Sequence, residues 1–242
     1  MKIIITLVLT LLITCPVLAG DYATLNFIGF SKDGKYLAFE EYGTTDGSGW
    51  PYSNVFVIDV EKNSFATTPV RIMIERDGAT EVQARTRAKT AAVAALRKHG
   101  IIDRNTGSLV VSRLFTDLTL RNAGKNDDAT MQTINFAEII GSMYRAGDYE
   151  LVMRSKEVTS KECDKFGEPA RLIEIQLKDN EAKSTVMLQK DTALPASRGC
   201  PLSYEMQFVY LYQDHIAVFV NTFHMGFEGP DMRFMVVTGK FK

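Results

Sequence analysis

Phe30-Ser31-Lys32-Asp33-Gly34-Lys35-Tyr36-Leu37-Ala38-Phe39, followed by Asn54-Val55-Phe56-Val57-Ile58-Asp59-Val60, decides how the chain is read. Asp33-Gly34 is a turn signal, because glycine accepts the positive φ that tight hairpin turns demand. After it, Leu37 and Phe39 point one way, and Tyr36 and Ala38 the other. In the partner segment Val55 and Val57 alternate with Phe56 and Ile58. Successive strand side chains face opposite ways, so a hairpin apolar at both parities has to be covered on both sides. The expectation is a hairpin at residues 30–60 enclosed between two layers. The rest of the chain has to supply those layers.

Residues 81–98 form the one long helical segment, rich in alanine. Thr80 with Gln83 makes a capping box, which satisfies N–H groups orphaned at a helix start. Lys98, His99 and Gly100 close the helix, as cations and then glycine do. Ala84, Ala88, Ala91, Ala92 and Ala95, with Leu96 beside them, make a small-residue stripe that suits close packing on a sheet. Arg85, Arg87, Lys89 and Arg97 occupy the remainder. They read as a solvated face, with an anion-binding ridge as the sharper alternative.

The remaining segments read as strands. Val70-Arg71-Ile72-Met73-Ile74 looks like a third strand, and residues 109–111, 149–153, 171–177 and 185–188 have strand length and composition. Residues 208–212 and 216–220 flank Gln213-Asp214-His215 as a second hairpin, and residues 234–237 close the chain. The fold class is therefore α+β: β-rich, mostly antiparallel, with a single long helix. No Pro/Ser-rich linker, charge block or second copy of the opening hairpin interrupts residues 20–242, so one domain is expected.

The start of the chain is an address. Met1-Lys2 precedes an apolar stretch through Ile13, Pro16 breaks it, and Val17-Leu18-Ala19 suits a signal peptidase. Residues 1–19 read as a secretory signal peptide cleaved after Ala19, its apolar core being too short for a stable span. Lipidation at Cys15 is the weaker reading, because Thr14 stands where a small residue is wanted and Pro16 follows. No later stretch is apolar enough to cross a membrane. Among 28 Lys and Arg against 29 Asp and Glu, the leader holds only Lys2, so the exported chain is slightly acidic. That balance argues against nucleic acid as a partner. Without Cys15, Cys163 and Cys200 remain, and in an oxidising compartment they most simply form one disulfide. It would close a loop of roughly 38 residues, worth about 4 kcal/mol in the chain-entropy account. Two buried free thiols are the alternative.

Several segments together resemble a known family. They are Phe30 to Gly43, Asp46-Gly47-Ser48-Gly49-Trp50-Pro51-Tyr52-Ser53-Asn54, the Ala-rich basic helix, Ser197-Arg198-Gly199-Cys200-Pro201, and Gly226-Phe227-Glu228-Gly229-Pro230-Asp231-Met232-Arg233-Phe234. In that order they resemble the bacterial predicted secreted proteins that carry only a domain-of-unknown-function label. The resemblance implies export and supplies no activity, substrate or catalytic residue. The first segment alone also resembles a blade of TolB-type periplasmic propellers. A propeller needs roughly four to eight blades, so a complete one is excluded.

Two loops are the candidate surface. The first, from Glu40 to Asn54, brings Glu40, Glu41, Asp46, Tyr52 and Trp50, the lone tryptophan. The second, Gly226 to Arg233, brings Glu228, Asp231 and Arg233. Aromatics beside carboxylates can hold a sugar or a peptide. The bland reading makes the aromatics a cap on the sheet and the charges a salt bridge. Asp46-Gly47-Ser48-Gly49 has only part of a calcium-loop pattern. His99, His215 and His224 sit at element ends and carry no catalytic signature, and nucleophile-elbow, phosphate-loop and zinc motifs are absent. No cofactor or metal is implied. The reading is an exported, soluble, non-catalytic binding or envelope-associated protein, periplasmic or secreted, whose partner is a protein or glycan of the cell envelope. The alternative is a carboxylate-dependent hydrolase of an envelope polymer. It would use Glu40 or Glu41 facing Glu228 or Asp231, within about 10 Å.

Overall fold

The computed structural model describes residues 20–101, 105–113, 129–140, 144–167, 169–227 and 229–241. The leader with Cys15, and Glu228, lie outside the described residues.

Thr24–Phe30 (β1), Tyr36–Thr44 (β2) and Pro51–Asp59 (β3) run as an antiparallel meander; Ser64–Phe65 (β4) and Val70–Met73 (β5) both pair with β3. The Asp33-Gly34 turn forms as expected. Asp33 accepts from Ser31 Oγ at 2.7 Å, and Gly34 adopts φ 74°. A Cβ at Gly34 would lie 2.5 Å from the His215 ring, so glycine is required on two counts.

Both faces of this N-terminal sheet are covered, as the double alternation demands. Glu81–Lys98 (α1) lies on one side, opened by the Thr80–Gln83 capping box. Its buried residues Ala88 and Ala92 pack on Val55, and Ala38 and Val57 pack around Ile101. Ala91 is a correction to the stripe: it is exposed, because Ala84, Ala88 and Ala92, four residues apart, already fill the buried face. On the other side Leu37, Phe39, Phe56 and Ile58 pack against Phe219 and Phe234. Phe39 stacks on Phe56 at 4.7 Å and meets Phe219 edge-on at 5.3 Å. Full burial of a side chain such as Leu37 contributes about 1.5–3 kcal/mol.

Phe219 and Phe234 belong to a central sheet. It is ordered Asp231–Lys240 (β13), His215–His224 (β12), Pro201–Tyr212 (β11) and Ser108–Ser112 (β6). Its other face carries Met206, Val209, Ile216, Val218 and Val237 against an outer sheet. That sheet is ordered Ser184–Lys190 (β10), Ala170–Asp179 (β9), Tyr144–Val158 (β8) and Ala129–Ile140 (β7). The layers are thus helix, sheet, sheet and sheet, and β12 is buried from His215 to Phe223. No helix among the described residues is long and apolar enough to cross a membrane.

The likeness to a propeller blade does not hold. The opening hairpin is the middle of a five-stranded sheet closed by a helix and a foreign sheet, whereas blades are four-stranded and repeat around a channel. Cys163 and Cys200 are bonded, with Cα atoms 5.4 Å apart. The bridge ties the β8–β9 connection to the loop that enters β11.

Candidate functional site

β3 begins at Pro51, ahead of Asn54, so Tyr52 joins Glu40 and Glu41 as a strand residue and the loop between is short. Strand parity then separates the two glutamates. Glu40 turns toward α1. It is fully buried and accepts a bidentate pair from Arg85, Nε and Nη2 both at 3.0 Å. Asn26 Nδ2 at 2.9 Å, Ser53 Oγ at 3.0 Å and Lys89 Nζ at 3.4 Å complete its surroundings. Burial raises this carboxyl, but the hydrogen bonds from Arg85, Asn26 and Ser53 outweigh it, and the net shift is below the ordinary value. Arg85 also lies over the Tyr42 ring at 3.7 Å. Arg85 is therefore a helix-to-sheet anchor, correcting the solvated-face expectation at that residue, whereas Arg87, Lys89 and Arg97 are exposed as expected, Lys89 reaching Glu40 from the surface. Glu40 is likewise removed from any reacting surface.

Glu41 turns the other way, toward the central sheet. Its two oxygens accept from Asn54 Nδ2 at 3.0 Å and from the Phe234 backbone N–H at 2.9 Å. Burial pushes this carboxyl up, because those bonds and the charges of Arg233 and Arg71 only partly offset the lost hydration.

Glu41 lines a cleft of about 630 Å³ between the two sheets. One wall is Phe39, Asn54, Phe56, Ile58, Phe65 and Arg71 of the N-terminal sheet. The opposite wall is Thr222 and His224 of β12 with Asp231 and residues 233–236 of β13. Pro195 and residues 197–199, next to the disulfide, form the rim. The volume is that of a small-molecule or short-peptide site, and the lining mixes aromatic and aliphatic side chains with many polar and charged ones. Phe65 is 45% exposed and stacks on Phe56 at 5.9 Å, and Arg71 lies over the Phe56 ring at 5.3 Å.

The cleft's other cations are committed. Arg233 pairs with Asp21, donates to the Asp21 and Met232 carbonyls at 2.8 and 2.9 Å, and lies over Tyr52 at 4.7 Å. Tyr52 donates to Asp21 Oδ1 at 2.8 Å, and burial raises its hydroxyl. Arg198 pairs with Asp191 and lies over Tyr204, whose hydroxyl burial pushes up to about 12. His224 shares a hydrogen bond of 3.1 Å with Thr222; burial, with Arg233 nearby, lowers its ring.

Of the residues singled out in the sequence, Glu41, Asp231 and Arg233 meet in the cleft. Asp231 Oδ1 accepts from the Asp21 N–H at 3.0 Å. Tyr52 is buried beneath Arg233, which places it in the structural column. Asp46 and Trp50 sit on a turn closed by its own bonds: Trp50 N–H to Thr45 Oγ1 at 3.0 Å and Thr45 N–H to the Trp50 carbonyl at 2.9 Å. Trp50 is half-buried and does not line the cleft. That turn does approach the second loop, since a Cβ at Gly47 would lie 3.8 Å from the Phe227 ring. Among the described residues no cluster of three or more His, Cys, Asp or Glu is placed to hold a metal ion.

Phe65, Arg71 and Asp21 were not anticipated. Arg71 is an outward residue in an ordinary alternation, and no local pattern marks an arginine over an aromatic ring contributed by another strand.

No curated protein matches the chain. A family model described as predicted secreted protein (DUF2259) matches residues 38–240, which takes in both walls of the cleft, the helix and the disulfide. The match starts at Ala38, beyond the turn that carried the propeller likeness. With so much of its length matched, the chain belongs to this family of predicted secreted proteins.

Proposed function

We propose that the protein is exported, loses residues 1–19, and works in the periplasm or outside the cell as a non-catalytic binding protein, with the cleft as its ligand site. The observation that carries this reading is the pairing of an exposed aromatic with an uncommitted cation at the cleft wall. Phe65 remains 45% exposed although it stacks on Phe56, and Arg71 forms no ion pair among the described residues. Large apolar groups beside a charge, on a rigid sheet and in a concave surface, suit recognition. The hydrolase alternative is weaker. Glu40 is saturated by donors on the helix side, and both oxygens of Glu41 are engaged. The ligand comes from the cell envelope, as expected of an exported partner.

Immobilised mature protein should retain an envelope component that the Phe65→Ala/Arg71→Ala double variant does not retain, with both proteins equally folded by circular dichroism. Equal retention would move the site elsewhere. Release of soluble fragments from envelope polymer by the wild type, lost in Glu41→Gln, would replace binding with hydrolysis.

A further inference from the structure

We propose that the cleft takes an extended peptide, which adds to the free edge of β13 as a further strand; this rests on the cleft being the ligand site. β13 is the outermost strand of the central sheet, paired on one side with β12. In an antiparallel ladder the N–H and C=O groups of alternate residues face the partner, and those between face away. On β13 the even-numbered residues face away. Met232 N–H donates to the Asp21 carbonyl at 2.9 Å, and the Met232 carbonyl accepts from Ala23 at 3.0 Å. Phe234 N–H donates to Glu41, and Thr238 N–H donates to Asn63 Oδ1, both at 2.9 Å. Val236 lies between them and lines the cleft, and neither its N–H nor its carbonyl has a partner among the described residues. The hydrogen-bonding groups of the edge are taken up at both ends and left unfilled at Val236, whose side chain is itself buried.

Exposed strand edges are ordinarily blunted by lysine, proline or a bulge. Here Met235 and Val236 do none of this, and the ladder to β12 runs through without a register shift. Residues of the N-terminal sheet line the same cleft as Val236 and flank this edge. From Phe234 to Thr238 the slot measures about 13 Å, room for about four residues at about 3.4 Å each. A peptide residue opposite Val236 would exchange two backbone hydrogen bonds with it, and the N–H of the peptide residue two positions along would reach the Phe234 carbonyl. Alternate peptide side chains would point at the wall of Phe56 and Phe65, which suits apolar residues. Arg71, on that same wall, suits an acidic one. Backbone bonds give such complexes affinity and alternate pockets give them selectivity.

The probe is a random octapeptide phage library selected on the mature protein, followed by synthetic copies of the enriched sequences. Enriched peptides should alternate apolar residues and carry an acid. N-methylation at amides of one parity should weaken binding at least about tenfold, and at the other parity leave it unchanged. Amide exchange at Val236 should slow when peptide saturates the protein. Val236→Pro should abolish binding, because it removes an N–H that β12 does not use; if that variant fails to fold, the exchange measurement stands alone. No peptide enrichment, equal sensitivity at both parities, or unchanged exchange at Val236 overturns the proposal. So does binding of a peptide-free envelope glycan in the same cleft with Val236 exchange unaltered. Any of these with capture still dependent on Phe65 and Arg71 sinks the peptide alone, whereas loss of that dependence sinks the cleft reading.

Discussion

Glu40 and Glu41 are adjacent in the chain and serve opposite sides of one strand. On the helix side Glu40 is surrounded by Arg85, Lys89, Asn26 and Ser53. On the cleft side Glu41 has one amide and one backbone N–H, with Arg233 and Arg71 at longer range. The first environment keeps a buried charge and locks a helix to a sheet. The second leaves a charge under-compensated, with a cation, Arg71, uncommitted at the cleft wall. A strand flat enough to alternate its side chains can thus assign structure to one face and recognition to the other.

The contrast breaks first at Arg85. Arg85→Ala leaves a fully buried carboxylate short of its bidentate partner and should cost about 3–5 kcal/mol. Arg71→Ala, at an exposed edge position, should stay within about 0.5 kcal/mol. Guanidinium denaturation of both variants measures the gap, and similar losses would erase the distinction between the faces.

The disulfide supports the cleft side, since Arg198 and Gly199 of the rim adjoin Cys200. Replacing Cys163 and Cys200 by serine should lower stability by about 2–4 kcal/mol. Ligand capture should weaken with it, because the rim loses its tether. Thiol labelling of the unfolded, unreduced wild type should give no signal.

A smaller loss is expected at Trp50, which lies outside the core clusters. Trp50→Ala should cost about 1 kcal/mol, against about 3–5 kcal/mol for an aromatic truncated in a core. A thermal melt separates the two; a core-sized loss would show that the turn from Thr45 to Trp50 caps the sheet.

The smallest effect sharpens the comparison by sign. Glu40 is held below its ordinary value, so its contribution is present above the unfolded-state pKa of about 4.3 and is lost as pH falls through the folded value. Glu41 is raised, so the native state keeps a proton longer than the unfolded chain and stability declines as pH rises through that window. Glu41→Gln should therefore match or exceed the wild type near neutrality, by no more than about 1 kcal/mol. Its advantage should shrink as pH falls through the raised folded value of Glu41 and be gone below about pH 4. Glu40→Gln should show the reverse, a deficit near neutrality that shrinks in acid. Urea midpoints across the pH range decide it, and parallel profiles would contradict the two environments.

Local chemistry made much of the architecture legible. A capping box, an Asp-Gly turn, period-two alternation and two cysteines each act over a few residues or leave no competing pairing. For that reason the hairpin, α1, the disulfide and most strands could be read directly. β1 escaped because Gly29, at φ 137°, interrupts it with a bulge against β2. β7 escaped because its inward Gln132 breaks the apolar pattern. That side chain is buried, donating to the Tyr204 carbonyl at 2.6 Å and accepting from the Met206 N–H at 3.1 Å. The candidate site was legible only in part, through Glu41, Asp231 and Arg233. Parity could separate the two glutamates but not say which layer each would meet. Asp21 beneath Arg233, Arg71 over Phe56 and the open edge at Val236 join residues far apart in the chain. Such contacts depend on how sheets stack and where a strand lacks a neighbour, and those are properties of the assembled layers.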